Sequence, residues 1–397
     1  MIQNIIFSTS VGEYLIDNWN YGQSIREICL LNKIPYQSVT IYLRQDNKNQ
    51  LFIGLDSLIY SIDSNFSEIV LYFDSNTNFQ NVSNKEIIVK KKAKSVAEYS
   101  FPNSDSTSKI NHVEFTQTDC KKYIQQDVDN FLNNFTKIQP NSKLVVGISG
   151  GGDSNALIDA LKMSKSLATC EILPVMVRGI PGTDLGFERA SRICENHNLK
   201  LIEINQEQVN NLLHRNFNND WIKSFITIFP QSDIEIIATL GIRLSLFHIA
   251  QKYNATAAIT GVNMEDLLAE SFLRTMQGNL PLPFPIRVIG NNELWFPLYR
   301  TPKKIIDGCN PDFSLENYKE RVPNAVAGRD IALYFTQLVH SKLNGIEFDF
   351  IEGMRKLSQK NTKPYYFDEK LDLYILEMLP LDVRHKWEQY LNNNNNQ

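Results

Sequence analysis

The stretch from Lys143 to Leu157, Lys-Leu-Val-Val-Gly-Ile-Ser-Gly-Gly-Gly-Asp-Ser-Asn-Ala-Leu, constrains this chain more than any other. Leu144, Val145, Val146 and Ile148 form a short apolar run suited to a strand buried on both faces. Three glycines follow, and Asn155 to Leu167 then reads as a helix. A strand that feeds a glycine-rich loop and opens a helix is a geometry that binds phosphate. Without Cβ atoms, Gly150, Gly151 and Gly152 let backbone N–H groups close around oxyanions. Ser149 and Ser154 add hydroxyl donors. Asp153 would repel a phosphate, so its chemical sense is to share a divalent cation with one. The loop predicts a nucleotide together with Mg2+.

No Lys-Ser/Thr pair follows the glycines and the dinucleotide-binding spacing is absent, which sets aside the two commoner phosphate loops. The run Ser149-Gly-Gly-Gly-Asp-Ser154 resembles the Ser-Gly-Gly-x-Asp-Ser signature of the PP-loop ATP pyrophosphatases, the adenine nucleotide alpha-hydrolase-like (HUP) superfamily. The resemblance implies that the loop grips the pyrophosphate of ATP while a substrate oxygen attacks the α-phosphate. An adenylated intermediate and free pyrophosphate would result.

A second stretch, Thr260 to Gly278, resembles the Gly-His-His-x-Asp-Asp segment of tRNA(Ile)-lysidine synthetases and tRNA 2-thiocytidine-forming enzymes, which runs into a helix ending in Arg-x-x-x-Gly. Gly261, Glu265, Asp266, Phe272, Arg274 and Gly278 fall on matching positions, whereas Val262 and Asn263 stand where the family has histidines. A third, Glu293 to Ile306, matches at Pro297, Leu298 and Lys303, with Phe296 in place of the family's arginine. Arg243 falls where the thiolating enzymes carry an arginine.

The resemblance implies Asp153, Lys303, Arg274 and Glu265 as catalytic residues and Asp153 with Asp266 as Mg2+ ligands. ATP would be held by Ser149, Gly150, Gly151, Gly152, Asp153, Ser154, Val177, Arg178 and Gly261. Glu265 and Asp266 also suit a helix start, and Arg274 a solvent-facing charge.

The departures are informative. The helix before the second motif carries no Cys-x-x-Cys, so an iron-sulfur cluster bound as in the thiocytidine-forming enzymes is not expected. No cysteine cluster in the sequence resembles the zinc site of the 7-deazaguanine synthases, and a large C-terminal tRNA-binding domain of the lysidine-synthetase kind is not expected. Cys309, beside the third motif, is a candidate sulfur carrier or a packed thiol.

The order of elements predicts an α/β fold: a doubly wound parallel sheet, HUP-like, with a small α+β, β-grasp-like N-terminal domain and a short helical C-terminus. Residues 1–75 read as short strands around one helix, Ser24 to Asn32, and 76–118 as linker and loop. Residues 119–345 read as the ATP pyrophosphatase domain, and 346–397 as a helical extension with a disordered tail. Strands are expected at Glu171 to Val177, Leu199 to Ile204 and Thr256 to Thr260, with a long helix over Ser232 to Tyr253. The loop at Gly147 to Ser154 and the segment Gly261 to Asp266 should face one crevice at the carboxyl ends of the strands.

Net charge of -4 gives no overall pull toward nucleic acid, and the local basic run Lys90, Lys91, Lys92 and Lys94 reads as a guarded edge. Five scattered cysteines suit a reduced, cytoplasmic protein. No basic leader precedes an apolar stretch, and no segment reads as long enough for a membrane span. Asn317 to Arg321 and Arg329 are candidates for the substrate mouth or for helix caps.

The expected activity is adenylation of a carbonyl or carboxylate oxygen, followed by displacement of AMP by nitrogen or sulfur. The acceptor could be a tRNA base, a small molecule or a peptide or protein terminus, and a homodimer is left open. A non-catalytic ATP-binding sensor is the alternative.

Overall fold

The structure is a computed structural model that describes residues 2–9, 12–34, 36, 39–46, 48–73, 82–88, 95–102, 110–181, 184–214, 220–311, 313–314, 345–362 and 364–392. The basic run at Lys90 to Lys94, the segment Asn317 to Arg329 and residues 393–397 of the tail lie outside them. The chain divides into two compact units, one comprising residues 1–126, 263–273 and 300–354, the other 127–262, 274–299 and 355–397.

The first unit begins with β1 (Asn4–Thr9), β2 (Gly12–Leu15), α1 (Ile25–Leu31), β3 (Val39–Gln45), β4 (Lys48–Ile53), β5 (Glu68–Phe73) and β6 (Val82–Ile88). They form one sheet in the order β2-β1-β5-β3-β4-β6. β1 runs parallel to β5, and β3 is antiparallel to both β4 and β5. The first five strands, with a helix after the opening hairpin, have the β-grasp arrangement.

Alternation explains the core. Val39, Ile41, Leu43, Ile69 and Leu71 join Ile25 and Ile28 of α1 in one cluster, while Tyr42, Leu51, Val70 and Tyr72 bury the opposite face. The unbroken run Ile-Val-Leu-Tyr-Phe in β5 follows from burial on both sides. Ser24 and Glu27 close a reciprocal capping box on α1.

The polar composition of 76–118 led to an expectation of linker; the structure instead has β6 and an antiparallel pair, β7 (Ser95–Pro102) and β8 (Ile110–Thr116). β7 buries Ala97 and Tyr99 among polar neighbours, which dilutes its hydrophobic signal. Next in the chain are α2 (Gln117–Phe135), β9 (Lys143–Gly147), α3 (Gly152–Met163), β10 (Glu171–Val177), α4 (Phe187–Asn196), β11 (Ile202–Ile204), α5 (Gln206–Leu212), α6 (Trp221–Ile228), α7 (Ile234–Lys252) and β12 (Ala257–Ile259). They are followed by α8 (Met264–Met276), β13 (Ile286–Ile289), β14 (Asn292–Trp295), α9 (Lys303–Cys309), α10 (Ile346–Ser358), β15 (Tyr366–Asp368), β16 (Leu373–Ile375) and α11 (Leu381–Asn392).

The second unit is built on the sheet β11-β10-β9-β12-β14-β13. Its first five strands are parallel and β13 is an antiparallel edge. Strand order reverses at β9, the switch point where doubly wound sheets bind ligand. Leu144, Val145 and Val146 are fully buried there, each adding about 1.5–3 kcal/mol relative to an exposed side chain. The C-terminal region is not purely helical, since the hairpin β15–β16 lies between α10 and α11.

The expectation that no segment reaches membrane-span length is also corrected. α7, at 19 residues, is long and apolar enough to cross a membrane by length and composition. In this fold it packs along the sheet, with Leu246 against Gly147, and under Trp221, which lies where a side chain on Gly241 would be. Its apolar character is that of a core helix.

Candidate functional site

Ile148 ends the apolar strand and the chain turns at Gly150, whose φ of 75° is in the left-handed region. A Cβ at Gly150 would collide with the carbonyl of Gly186, and a Cβ at Gly186 with the carbonyl of Ser149. The phosphate-loop turn therefore rests against the start of α4 through two facing glycines. Arg189, 5% exposed, donates from Nε to the carbonyl of Gly150 at 2.9 Å. Gly186 and Arg189 were not among the expected site residues. Their only sequence signal was a glycine at a helix start and an arginine on the otherwise apolar face of α4.

The serines preorganise the loop. Ser154 Oγ accepts the N–H of Ser149 at 3.0 Å, and the two hydroxyls lie 3.0 Å apart. Ser149 itself is exposed, while Gly150, Gly151, Gly152 and Ser154 are buried. Gly151 is the N-cap of α3 and brings no side chain to the cap, so the N–H groups of the first turn gain no acceptor from the cap residue. With the helix dipole, they suit a polyanion. Asp153 stands in that first turn, half-buried, and a Cβ at Gly261 would lie 3.2 Å from the Asp153 side chain. The end of β12 and the start of α3 are thus brought together, and a side chain at 261 would press on Asp153. Beside them Thr260 Oγ1 is buried without a hydrogen-bond partner, a polar atom that a bound ligand could satisfy.

Val177 and Arg178 lie at the carboxyl end of β10, with the Arg178 N–H on the carbonyl of Ile204. The Arg178 side chain stacks 4.3 Å over Phe187 and pairs with Asp184 at 3.3 Å and Glu203 at 3.6 Å, so its charge is already matched. Arg274, in the last turn of α8, pairs with Glu377 at 3.1 Å and donates to the carbonyl of Leu280. It closes the end of the helix and is not left as a solvent-facing charge.

Glu265, Asp266 and Lys303 belong to the first unit. Asn263 and Asp266 exchange hydrogen bonds, Asn263 Oδ1 accepting the Asp266 N–H at 3.0 Å and Asp266 Oδ2 accepting the Asn263 N–H at 3.3 Å. This is a capping box on α8, in which Asn263, at a position where the family resemblance has histidine, serves as the cap. Glu265, 8% exposed, accepts the backbone N–H of Lys303 with both carboxyl oxygens, at 3.0 and 3.1 Å. Burial pushes its carboxyl up to about 8; the Lys303 N–H opposes the shift, and Asp266 and Glu347 add to it. The Lys303 ammonium pairs with Asp307 one turn on, at 3.3 Å.

Among the described residues no group of three or more His, Cys, Asp or Glu is arranged to hold a metal ion. Asp153 fits Mg2+ in company with phosphate oxygens, which would complete the coordination shell. Cys309 is buried, and its carbonyl accepts from the Gln117 side chain at 2.7 Å.

No protein-family model matches the sequence, and no curated protein matches it. Among solved structures, the U34-tRNA thiolase NcsA from Methanococcus maripaludis, solved with its 4Fe-4S cluster, is similar over 62% of this chain and 82% of that one, at 16% identity and a TM-score of 0.52. The NH3-dependent NAD synthetase from Campylobacter jejuni is 17% identical over 62% of this chain and 95% of that one. The NMN synthetase from Francisella tularensis is 13% identical over 70% and 94%. Their TM-scores, 0.36 and 0.34, are too low to add to the argument. Identity at this level speaks to the fold alone. The chain shares a HUP-like α/β fold with that thiolase.

Proposed function

We propose that this protein is an ATP-dependent enzyme that adenylates a carbonyl or carboxylate oxygen of an acceptor, releases pyrophosphate, and then exchanges AMP for a nitrogen or sulfur nucleophile. The observation that carries the reading is the glycine turn braced by Gly186 and Arg189, with the first turn of α3 free of a side-chain cap.

In this reading the N–H groups after Gly151 bind the pyrophosphate, Ser149 adds a hydroxyl, and backbone at Val177 and Arg178 meets the adenine. Mg2+ supplies neutralisation of phosphate charge when bound, with Asp153 as its protein ligand and Asp266 as a second candidate. Gly261 lets β12 approach Asp153. Lys303 and Arg274 are candidates to steady the α-phosphate, each after leaving its carboxylate partner. Glu265 would act by holding the backbone of Lys303. Catalysis is then electrostatic and positional. Five free thiols support a reducing, cytoplasmic setting.

The acceptor classes that fit are a tRNA base, a small molecule and a peptide or protein terminus. A second reading, an ATP-binding module without turnover, draws on the pairing of Lys303 with Asp307 and of Arg274 with Glu377. Asp153→Asn separates the two. An enzyme should keep its ATP affinity within a few fold in that variant and lose pyrophosphate release by about 100-fold or more. Wild-type protein that binds ATP and releases no pyrophosphate with any of the three acceptor pools would favour the module.

A further inference from the structure

We propose that the cavity between the β3–β4 pair, β7 and α9 is a second ligand site, in which the Lys304 ammonium holds the carboxylate of a small organic acid. This site is independent of the adenylation reading: every residue that lines it belongs to the first unit, and the glycine loop to the second.

Placement comes first. Tyr42 of β3 lies across from Leu51 of β4, on the face of the sheet turned away from α1, and both border the cavity. α9 closes tightly on β7. A Cβ on Gly308 would come within 3.1 Å of the Ala97 Cβ and 3.5 Å of Val96 Cγ2. Lys304 precedes Gly308 by one helical turn and so shares its face of α9. It borders the cavity together with Glu98 of β7. The pairing of β7 with β8 shifts register between Ser95 and Ala97, and Val96, between them, reaches the same cavity.

Chemistry comes second. Lys303 and Lys304 are adjacent in the chain and differ in fate. The Lys303 ammonium pairs with Asp307 at 3.3 Å, whereas among the described residues no hydrogen bond or ion pair holds that of Lys304, although its side chain is half-buried. Burial pulls the Lys304 ammonium below its usual value; Glu98 opposes the shift, Arg26 adds to it as a like charge, and Cys29 opposes it. The charged neighbours have contacts of their own. Arg26 pairs with Asp56 at 2.7 Å, Asp307 also accepts the Ser314 hydroxyl at 3.1 Å, and Glu98, 5% exposed, accepts the Leu55 N–H at 3.1 Å. Lys304 borders open space instead.

A cation withdrawn from water without a contact partner raises the energy of the free protein, and a charge-assisted hydrogen bond from a ligand oxygen lowers it. The cavity measures about 40 Å³, room for about three waters at 10–15 Å³ each. Three waters fill roughly 90 Å³ of liquid, about the bulk of propionate or alanine. Leu51, Phe52 and Val96 on the walls suit a short alkyl group. Glu98 and Asp307 are also on the walls, and their charges disfavour a dianion such as phosphate. A monocarboxylate fits this balance.

The test uses the full chain in a buffer without other small anions. Propionate, alanine and inorganic phosphate are titrated by ligand-observed NMR, and ATP binding is measured alongside. The expected result is saturable binding of propionate or alanine, each bound more tightly than phosphate. Lys304→Met, which keeps the stem and removes the charge, should weaken it at least about tenfold, with ATP affinity changed less than about threefold. Either order of the two acids supports the site: tighter alanine identifies an amino acid as the ligand class, tighter propionate a plain acid. Glu98→Gln keeps an acceptor for the Leu55 N–H and removes a negative charge from the wall, so it should bind propionate more tightly than wild type does. Should Lys304→Met fail to fold, this variant decides, and unchanged or weaker propionate binding would count against the site.

Equal binding of the acids in wild type and Lys304→Met, or no saturable binding of either to wild type, would overturn the proposal. So would phosphate bound more tightly than both acids, which would assign the cavity to a phosphorylated ligand. Loss of ATP affinity in Lys304→Met by about tenfold or more would overturn it as well, because the lysine would then serve the nucleotide.

Discussion

Gly150 and Gly186 face one another so closely that neither position has room for a Cβ. One turns the phosphate loop with a positive φ; the other opens the helix that braces it. Gly186→Ala should therefore displace the loop as well as strain the fold. A loss of about 1–3 kcal/mol in stability is expected from overpacking, with ATP affinity falling at least tenfold. Chemical denaturation and an ATP titration check the two effects separately.

Arg189 acts on the same turn through the Gly150 carbonyl. Replacing it by Met keeps much of the volume and removes a charge-assisted hydrogen bond, which costs about 1.5–3 kcal/mol. ATP should bind more weakly while the adenine-side contacts persist, so affinity for ATP should fall more than affinity for adenosine. Equal losses for both ligands would contradict the bracing role.

Glu265 gives the protein a pH signature. Its carboxyl is raised by burial to about 8 from an ordinary value of 4.5. Between those values the unfolded chain has released the proton that the folded chain keeps. The contribution of Glu265 to stability is thus fully present below about 4.5 and declines as pH rises through that window, by at most about 1.4 kcal/mol per pH unit. Denaturant midpoints measured from pH 5 to 9 should fall for wild type and flatten for Glu265→Gln. An identical slope in the two proteins would refute the assignment.

The cysteines should differ in reactivity. Burial pushes the Cys29 and Cys120 thiols up to about 12 and Cys194 to about 11, and Cys309 is packed inside. Cys170 is the most accessible, although burial raises it as well. Brief alkylation of the native protein should label Cys170 first. Labelling of Cys309 ahead of it would revive the sulfur-carrier role for that residue.

What the sequence made legible was local. The strand, glycine turn and helix from Lys143 to Leu157 are contiguous, so their geometry follows from residue types in order. The helix expected over Ser24 to Asn32 was legible in the same local way, and it stands as α1. What escaped lies between distant positions: Arg189 reaches a carbonyl 39 residues back in the chain. The polar run over 76–118 hid β6, β7 and β8, because strand pairing there does not need an apolar face on every residue. Glu265, Lys303 and Arg274 were named from motif positions. The structure adds what motif positions cannot carry, that each already has a partner within the fold.

The most direct test of the central claim is the identity of the nucleotide product. Full-length protein is incubated with Mg2+ and α-labelled ATP, alone and with total tRNA, a pool of small carboxylates and amides, or peptides. The account predicts AMP and pyrophosphate in equal amounts, stimulated by one pool and abolished in Asp153→Asn. ADP and inorganic phosphate as the products would contradict it.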